Sequence, residues 1–82
     1  MLISVFSLKN ILFQGEAKSL TCDTATGELT ILDHHEPLIT SLTEGLIKIL
    51  DKTEKLKYIQ VSSGFIEING DNQIRCIIEE KI

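Results

Sequence analysis

The sequence predicts an all-β domain, and three observations support this. Short apolar runs alternate with turn residues along the chain. In several runs apolar and polar residues alternate with a period of two, as they do in strands with one buried face. The five glycines stand singly between the runs, where the absence of a Cβ suits tight turns. Many short strands at even spacing are typical of a sandwich or a barrel.

Size and net charge limit the number of domains and the class of partner. The 82 residues form one domain, 1–82, near the lower limit for a chain that folds on its own core. Apolar residues make up 43% of the chain, which is enough for such a core. The net charge of −4 argues against nucleic acid as a partner, because phosphates attract basic surfaces.

The first strands follow from local pattern. Residues 2–6 are a run of β-formers, and residues 16–22 alternate so that Leu20 and Cys22 share one face. A turn is expected at residues 23–27 from their composition, and residues 29–32 form the next short run.

The last strands form a hairpin. Ile59 and Val61 share a face, residues 62–64 interrupt the pattern, and residues 65–68 resume it. Residues 69–72 read Asn-Gly-Asp-Asn, a strong hairpin signal, because Asn and Gly tolerate the positive φ of tight turns. The final strand then places Ile74, Cys76 and Ile78 on one face.

The middle of the chain is ambiguous. Leu38, Leu42, Leu46 and Leu50 recur every four residues, which is typical of an amphipathic helix. Gly45 opposes a helix, and residues 46–50 also fit a strand with Ile47 and Ile49 pointing inward. The residue pattern alone leaves both structures open.

The compartment is inferred from what the sequence lacks. It contains no run of 18 to 20 apolar residues and no convincing signal peptide, so we expect a cytosolic location. Cys22 and Cys76 have no CxxC spacing, and two reduced core thiols are favoured over a disulfide or a zinc site.

Four adjacent ionisable residues form the one candidate chemical site, Asp33-His34-His35-Glu36. Imidazole and carboxylate groups bind zinc or iron, and paired carboxylates serve acid–base catalysis. Neighbouring residues of a strand point to opposite faces, however, so His34 and His35 cannot share an ion without a bend. The alternative is a polar loop before a strand fixed by Pro37.

Five motifs in order carry a resemblance to a known family. They are Leu-Phe-Gln-Gly-Glu-Ala at 12–17, Gly-Glu-Leu-Thr-Ile-Leu at 27–32, His-Glu-Pro-Leu-Ile-Thr at 35–40, Gly-Leu-Ile-Lys-Ile at 45–49 and Ser-Gly-Phe-Ile-Glu-Ile at 63–68. Together they resemble the N-terminal domain of the epsilon subunit of the F-type ATP synthase.

The resemblance implies a flattened ten-stranded β-sandwich, with strands in the ambiguous stretch and a turn at residues 43–45. It also implies a non-catalytic rotor subunit of the central stalk, which couples the gamma subunit to the c-ring without a cofactor. Such a subunit would lie on the cytoplasmic face of the bacterial plasma membrane, peripheral to it through the complex.

The resemblance also implies contact residues. Glu28 aligns with a family position that faces the c-ring, and Ser7, His35, Leu38 and Thr40 are expected to contact the gamma subunit. Leu38, Ile39 and Leu42 are candidate apolar anchors for that contact.

The sequence departs from the family in two places. Residues 33–35 read Asp-His-His where the family often has Pro-Gly-His, and the usual C-terminal helical hairpin with its inhibitory arm is absent. The alternative functions are a small metal-dependent or acid–base enzyme centred on residues 33–36 and a generic β-domain for protein interaction.

Overall fold

The computed structural model describes residues 1–80, so the last two residues of the predicted domain lie outside the described part. Seven strands and no helix occur within residues 1–80, which confirms the all-β class. The strands are β1 Leu2–Phe6, β2 Ile11–Thr24, β3 Gly27–Leu32, β4 Leu38–Leu42, β5 Gly45–Asp51, β6 Leu56–Ile68 and β7 Gln73–Glu80.

The two longest strands, β2 and β6, belong to both layers of a sandwich. The second half of β2 pairs with β3 and β5, and β5 also pairs with the first half of β6, which makes a four-stranded sheet. The second half of β6 pairs with β4 and β7, and β1 lies between β7 and the first half of β2, which makes a five-stranded sheet. All these pairs are antiparallel except β1 with β7.

The expected count of ten strands is wrong. Residues 62–64, which interrupt the alternation, lie inside β6, because a register shift against β7 between Val61 and Ser63 bends the strand without ending it. Counting the halves of β2 and β6 separately gives nine segments. A bulge and a strand end look alike in sequence, since both break the period of two.

The core lies between the two sheets and confirms the predicted strand faces. Among the described residues, every buried side chain is apolar. The inward residues predicted from alternation are all buried: Leu20, Cys22, Ile47, Ile49, Ile59, Val61, Ile74, Cys76 and Ile78. Both cysteines are free and buried.

The ambiguous leucines belong to two strands, β4 and β5. Their four-residue spacing is also a multiple of two, so Leu38 and Leu42 share a face of β4, and Leu46 and Leu50 share a face of β5. The turn between these strands is held by the Thr43 N–H, which donates to the Asp23 carbonyl oxygen at 3.0 Å.

Gly64 is needed because the backbone of β7 lies close to its Cα. A Cβ at this position would lie 2.9 Å from the Ile78 Cα and would overlap the Ile77 carbonyl oxygen. Because both obstacles are backbone atoms, they cannot move aside as a flexible side chain would.

The sandwich has two ends that matter for function. The loop at residues 33–37, the β6–β7 turn at residues 69–72 and the start of β1 lie together at one end, which we call the loop end. The β2–β3 and β4–β5 turns lie at the other, the hairpin end, where Thr24 pairs with Leu42. The six residues of β3 separate the two ends by about 20 Å.

Candidate interaction surfaces

Asp33 anchors the loop end by accepting two hydrogen bonds on Oδ1. The Met1 amino group donates to it at 2.6 Å, and the Asn72 side-chain amide donates at 3.2 Å. Both hydrogen bonds lower the pKa of Asp33 to about 2, because they favour the charged carboxylate. The bond from the amino group makes the larger contribution. The charged Asp33 carboxylate therefore holds the loop against Met1 and Asn72.

His34 takes a backbone conformation with a φ of 62°. Non-glycine residues rarely adopt this left-handed conformation. The His34 backbone N–H donates to the Asn72 Oδ1 at 2.7 Å, and Asn72 itself has a φ of 58°. The loop therefore turns at His34 while bonded to a residue of the β6–β7 turn.

His35 is half-buried, and its imidazole Nδ1 lies 2.8 Å from the Glu36 carbonyl oxygen. Within residues 1–80 the structure shows no group of three or more His, Cys, Asp or Glu side chains placed to hold a metal ion. The contacts of residues 33–36 fasten a loop, and nothing in their arrangement favours the metal or acid–base hypothesis.

Strand β4 continues from this loop and presents two different faces. Leu38 packs against the core, Thr40 points to the same side, and Leu42 is buried. Leu42 is therefore wrong as a surface anchor, because it faces the core. Ile39 points the opposite way and is 71% exposed.

The outer side of the five-stranded sheet carries an apolar surface beside the ion pair of Glu67 and Arg75. Phe65 and Ile77 are direct neighbours across β6 and β7, and Ile77 is the neighbour of Phe6 in β1. Phe65 is 61% exposed. We call this surface the apolar face and define it by Phe6, Ile11, Ile39, Phe65 and Ile77.

Ser7 lies at the border of the apolar face. Its hydroxyl accepts a hydrogen bond from the Asn10 N–H at 3.2 Å, which closes the β1–β2 turn. Ser7 and the fully exposed Leu8 line a groove together with Phe65 and Ile77. Alternation could have revealed this surface from the sequence, because a buried Ile66 requires that Phe65 point outward.

Glu28 lies at the hairpin end, where it is the exposed second residue of β3. It pairs with Asp23 across the hairpin, and the Thr24 hydroxyl donates to the Gly27 carbonyl oxygen at 2.8 Å. Burial, with a further contribution from the Asp23 and Glu28 charges, raises the pKa of the Cys22 thiol to about 11. The predicted c-ring residue is thus exposed in an acidic environment.

The structure does not gather the predicted contact residues into one cluster. His35 lies at the loop end, Leu38 and Thr40 follow the β4 edge, and Ser7 lies across the sheet toward the hairpin end. Three strand spacings, about 14 Å, separate β4 from β1. The apolar face occupies the region between them.

Comparison with known proteins identifies the family. Residues 1–80 match the family described as "ATP synthase, Delta/Epsilon chain, beta-sandwich domain". The chain belongs to this family. An ATP synthase epsilon chain of Leptospira interrogans is 40% identical over 77 residues, which are 94% of this chain and 59% of that protein. One of Persephonella marina is 33% identical over 78 residues, 95% of this chain and 57% of that one.

Solved structures show the same fold. A chain in the cryo-EM structure of the Euglena gracilis mitochondrial ATP synthase (OSCP, F1 and c-ring) matches 100% of this chain and 52% of its own length, with a TM-score of 0.92 and 19% identity. A chain from the central stalk and c-ring structure of the Tetrahymena thermophila mitochondrial ATP synthase matches 98% of this chain and 63% of its own length, with a TM-score of 0.84 and 16% identity.

This epsilon-type domain therefore spans less than two thirds of the relatives it matches. Among residues 1–80 there is no helix of the length and apolarity needed to cross a bilayer.

Proposed function

We propose that this domain is part of the central stalk of a proton-translocating F-type ATP synthase and couples the gamma subunit to the c-ring during ATP synthesis. It performs no catalysis of its own. The observation that carries the proposal is the exposed apolar face, with Ser7, one of the positions that the family resemblance assigns to the gamma interface, at its border.

The apolar face has the composition of a docking surface for a protein. Stable protein interfaces combine an apolar, desolvated centre with a polar rim. Phe65 and Ile77 supply the centre, and Ser7 lies at the rim of the groove that they line. Ile39 extends the same surface along β4. Leu38 and Thr40 point to the core side of this edge strand, so their predicted contacts would be made at the strand edge and not on the apolar face.

Glu28 provides the contact with the c-ring in this proposal. It is exposed and lies at the opposite end of β3 from the His35 loop, so one rigid strand connects the two contact regions. The adjacent Asp23 adds a second carboxylate, which suits a polar or basic partner loop.

Location and regulation follow from the same assignment. The domain is placed on the cytoplasmic face of the bacterial plasma membrane, peripheral to it through the complex. In the family, the inhibitory arm belongs to a helical region, and residues 1–80 contain no helix. The domain described here is therefore assigned a coupling role without an inhibitory one.

Binding to the gamma subunit from the same source tests the proposal. Phe65→Ala should weaken affinity by about thirtyfold or more, since truncating an aromatic hot-spot residue costs at least about 2 kcal/mol. Leu56→Ala is the matched control, because Leu56 is 56% exposed on the four-stranded sheet, and it should change affinity by less than about twofold.

Three outcomes distinguish the functions under consideration. Wild-type protein that does not bind the gamma subunit would overturn the rotor assignment and favour a generic interaction domain. Equal effects of Phe65→Ala and Leu56→Ala would show that the gamma subunit does not dock on the apolar face. A stoichiometric metal in protein purified without a tag would restore the metal hypothesis for residues 33–36.

A further inference from the structure

We propose that Asn72 is a positioning residue that holds the loop at residues 33–37 in the conformation that presents His35 to the gamma subunit. The inference rests on the proposed function, because it gives Asn72 a role in that contact. Asn72 lies in the β6–β7 turn, far from His35 in the sequence.

Asn72 connects three separate parts of the chain. Its Oδ1 accepts the His34 backbone N–H at 2.7 Å, and its Nδ2 donates to the Asp33 Oδ1 at 3.2 Å. Its backbone carbonyl oxygen accepts the Leu2 N–H at 3.2 Å. One residue thus fixes two consecutive residues of the loop to the first strand and the last hairpin.

The chemistry of this position favours asparagine. A φ of 58° is tolerated by Asn better than by most residues. The side-chain amide offers a donor and an acceptor at once, so it can bond the Asp33 carboxylate and the His34 N–H together. Asp would keep only the acceptor and would place a second carboxylate beside Asp33.

The loop has few other connections to the rest of the domain. Within residues 1–80, three hydrogen bonds link residues 33–37 to other segments. Asp33 accepts one from Met1 and one from Asn72, and His34 donates one to Asn72. The His35 contact is with the adjacent Glu36. Since His34 directly precedes His35, the hydrogen bond that the His34 N–H donates to Asn72 sets the direction in which the loop carries the His35 side chain.

The bond also explains how a non-glycine residue is accommodated at the turn. His34 has a φ of 62°, a conformation that glycine adopts freely and that costs strain for other residues. The hydrogen bond from the His34 N–H to Asn72 holds the backbone in this conformation and offsets part of that strain.

Asn72→Gly is the variant that tests the role, because glycine accepts the φ of 58° and removes only the side chain. In the free protein, we expect hydrogen exchange of the His34 amide to become about tenfold faster relative to the Ile66 amide in the core. Affinity for the gamma subunit should fall about three- to tenfold, through slower association, as the fraction of molecules with a competent loop decreases.

Asn69→Ala is the control for general loosening of the hairpin. The Asn69 Oδ1 accepts the N–H groups of Asp71 and Gln73 at 2.9 and 3.2 Å, and Asn69 makes no hydrogen bond to the loop. This variant should leave the exchange ratio of His34 to Ile66 and the association rate unchanged. Asn72→Asp should retain protection of the His34 amide, because it keeps the acceptor.

The outcomes separate this inference from the proposed function. An unchanged His34 exchange ratio in Asn72→Gly overturns the positioning role. A loosened loop with unchanged gamma affinity also overturns it, and the rotor assignment stands if Phe65→Ala still weakens binding. If His35→Ala has no effect, there is no contact to position and the inference fails. Absence of gamma binding by the wild type removes both.

Discussion

Phe65 and Ile66 are adjacent in β6 and lie on opposite sides of the five-stranded sheet. Ile66 has no exposed surface, whereas Phe65 is 61% exposed. This pair separates stability from recognition within two residues, because the inward side chain packs the core and the outward one is available to a partner.

Ile66→Ala should lower the free energy of unfolding by about 2 to 4 kcal/mol, since it leaves a cavity in a buried site. Phe65→Ala, one residue away, should change it by less than about 1 kcal/mol, the upper range for loss of its cross-strand pair with Ile77. Urea denaturation of both variants measures the difference. Equal destabilisation would mean that the faces of β6 are assigned wrongly.

Gly64→Ala should destabilise the domain by about 1 to 3 kcal/mol, because its Cβ would collide with the backbone of β7 at Ile77 and Ile78. Gly70→Ala is the control, since a Cβ at Gly70 meets no atom within 4 Å. The two variants can be compared by denaturant midpoint. A Gly64 variant as stable as the Gly70 variant would contradict the close approach of β6 and β7.

The Asp33 interactions should contribute to stability in a defined pH range. A carboxyl pKa lowered from 3.8 to about 2 favours folding fully above pH 3.8, and the contribution is lost as the pH falls toward 2. The difference in unfolding free energy between wild type and Asp33→Asn should therefore shrink over this interval. Asp33 is exposed, so salt should reduce the effect. A difference that stays constant from pH 5 to pH 2 would contradict the assignment.

If Glu28 contacts the c-ring as proposed, Glu28→Lys should weaken coupling between ATP hydrolysis and proton pumping in the assembled enzyme, because it reverses the charge at that contact. Fold stability should change little, since Glu28 is exposed. Pumping and hydrolysis measured on the same reconstituted vesicles give the coupling ratio, and Glu28→Gln distinguishes loss of charge from its reversal. Normal coupling in the lysine variant would remove Glu28 from the contact.

Most of the fold was predictable because strand alternation is a local property. Ile74, Cys76 and Ile78 were placed in the core from spacing alone, and the hairpin at residues 69–72 was placed from its composition. The continuity of β6 through residues 62–64 was not predictable, because it depends on pairing with β7 across a bulge.

The candidate site was less accessible to sequence reasoning. The exposure of Glu28 beside the β2–β3 turn followed from its neighbours. The role of Asn72 did not, because its bonds to Asp33 and His34 join residues 38 and 39 positions apart. Only the three-dimensional arrangement shows that the polar cluster at residues 33–36 is tied to the last hairpin.

The sharing of β2 and β6 between the two sheets has a mechanical consequence. A sandwich whose sheets meet only through side chains can yield by sliding one layer over the other. Here β2 and β6 each run from one layer into the other as unbroken backbone. Shear applied to one face is therefore transmitted to the other through covalent bonds, and the domain resists twisting as a single body.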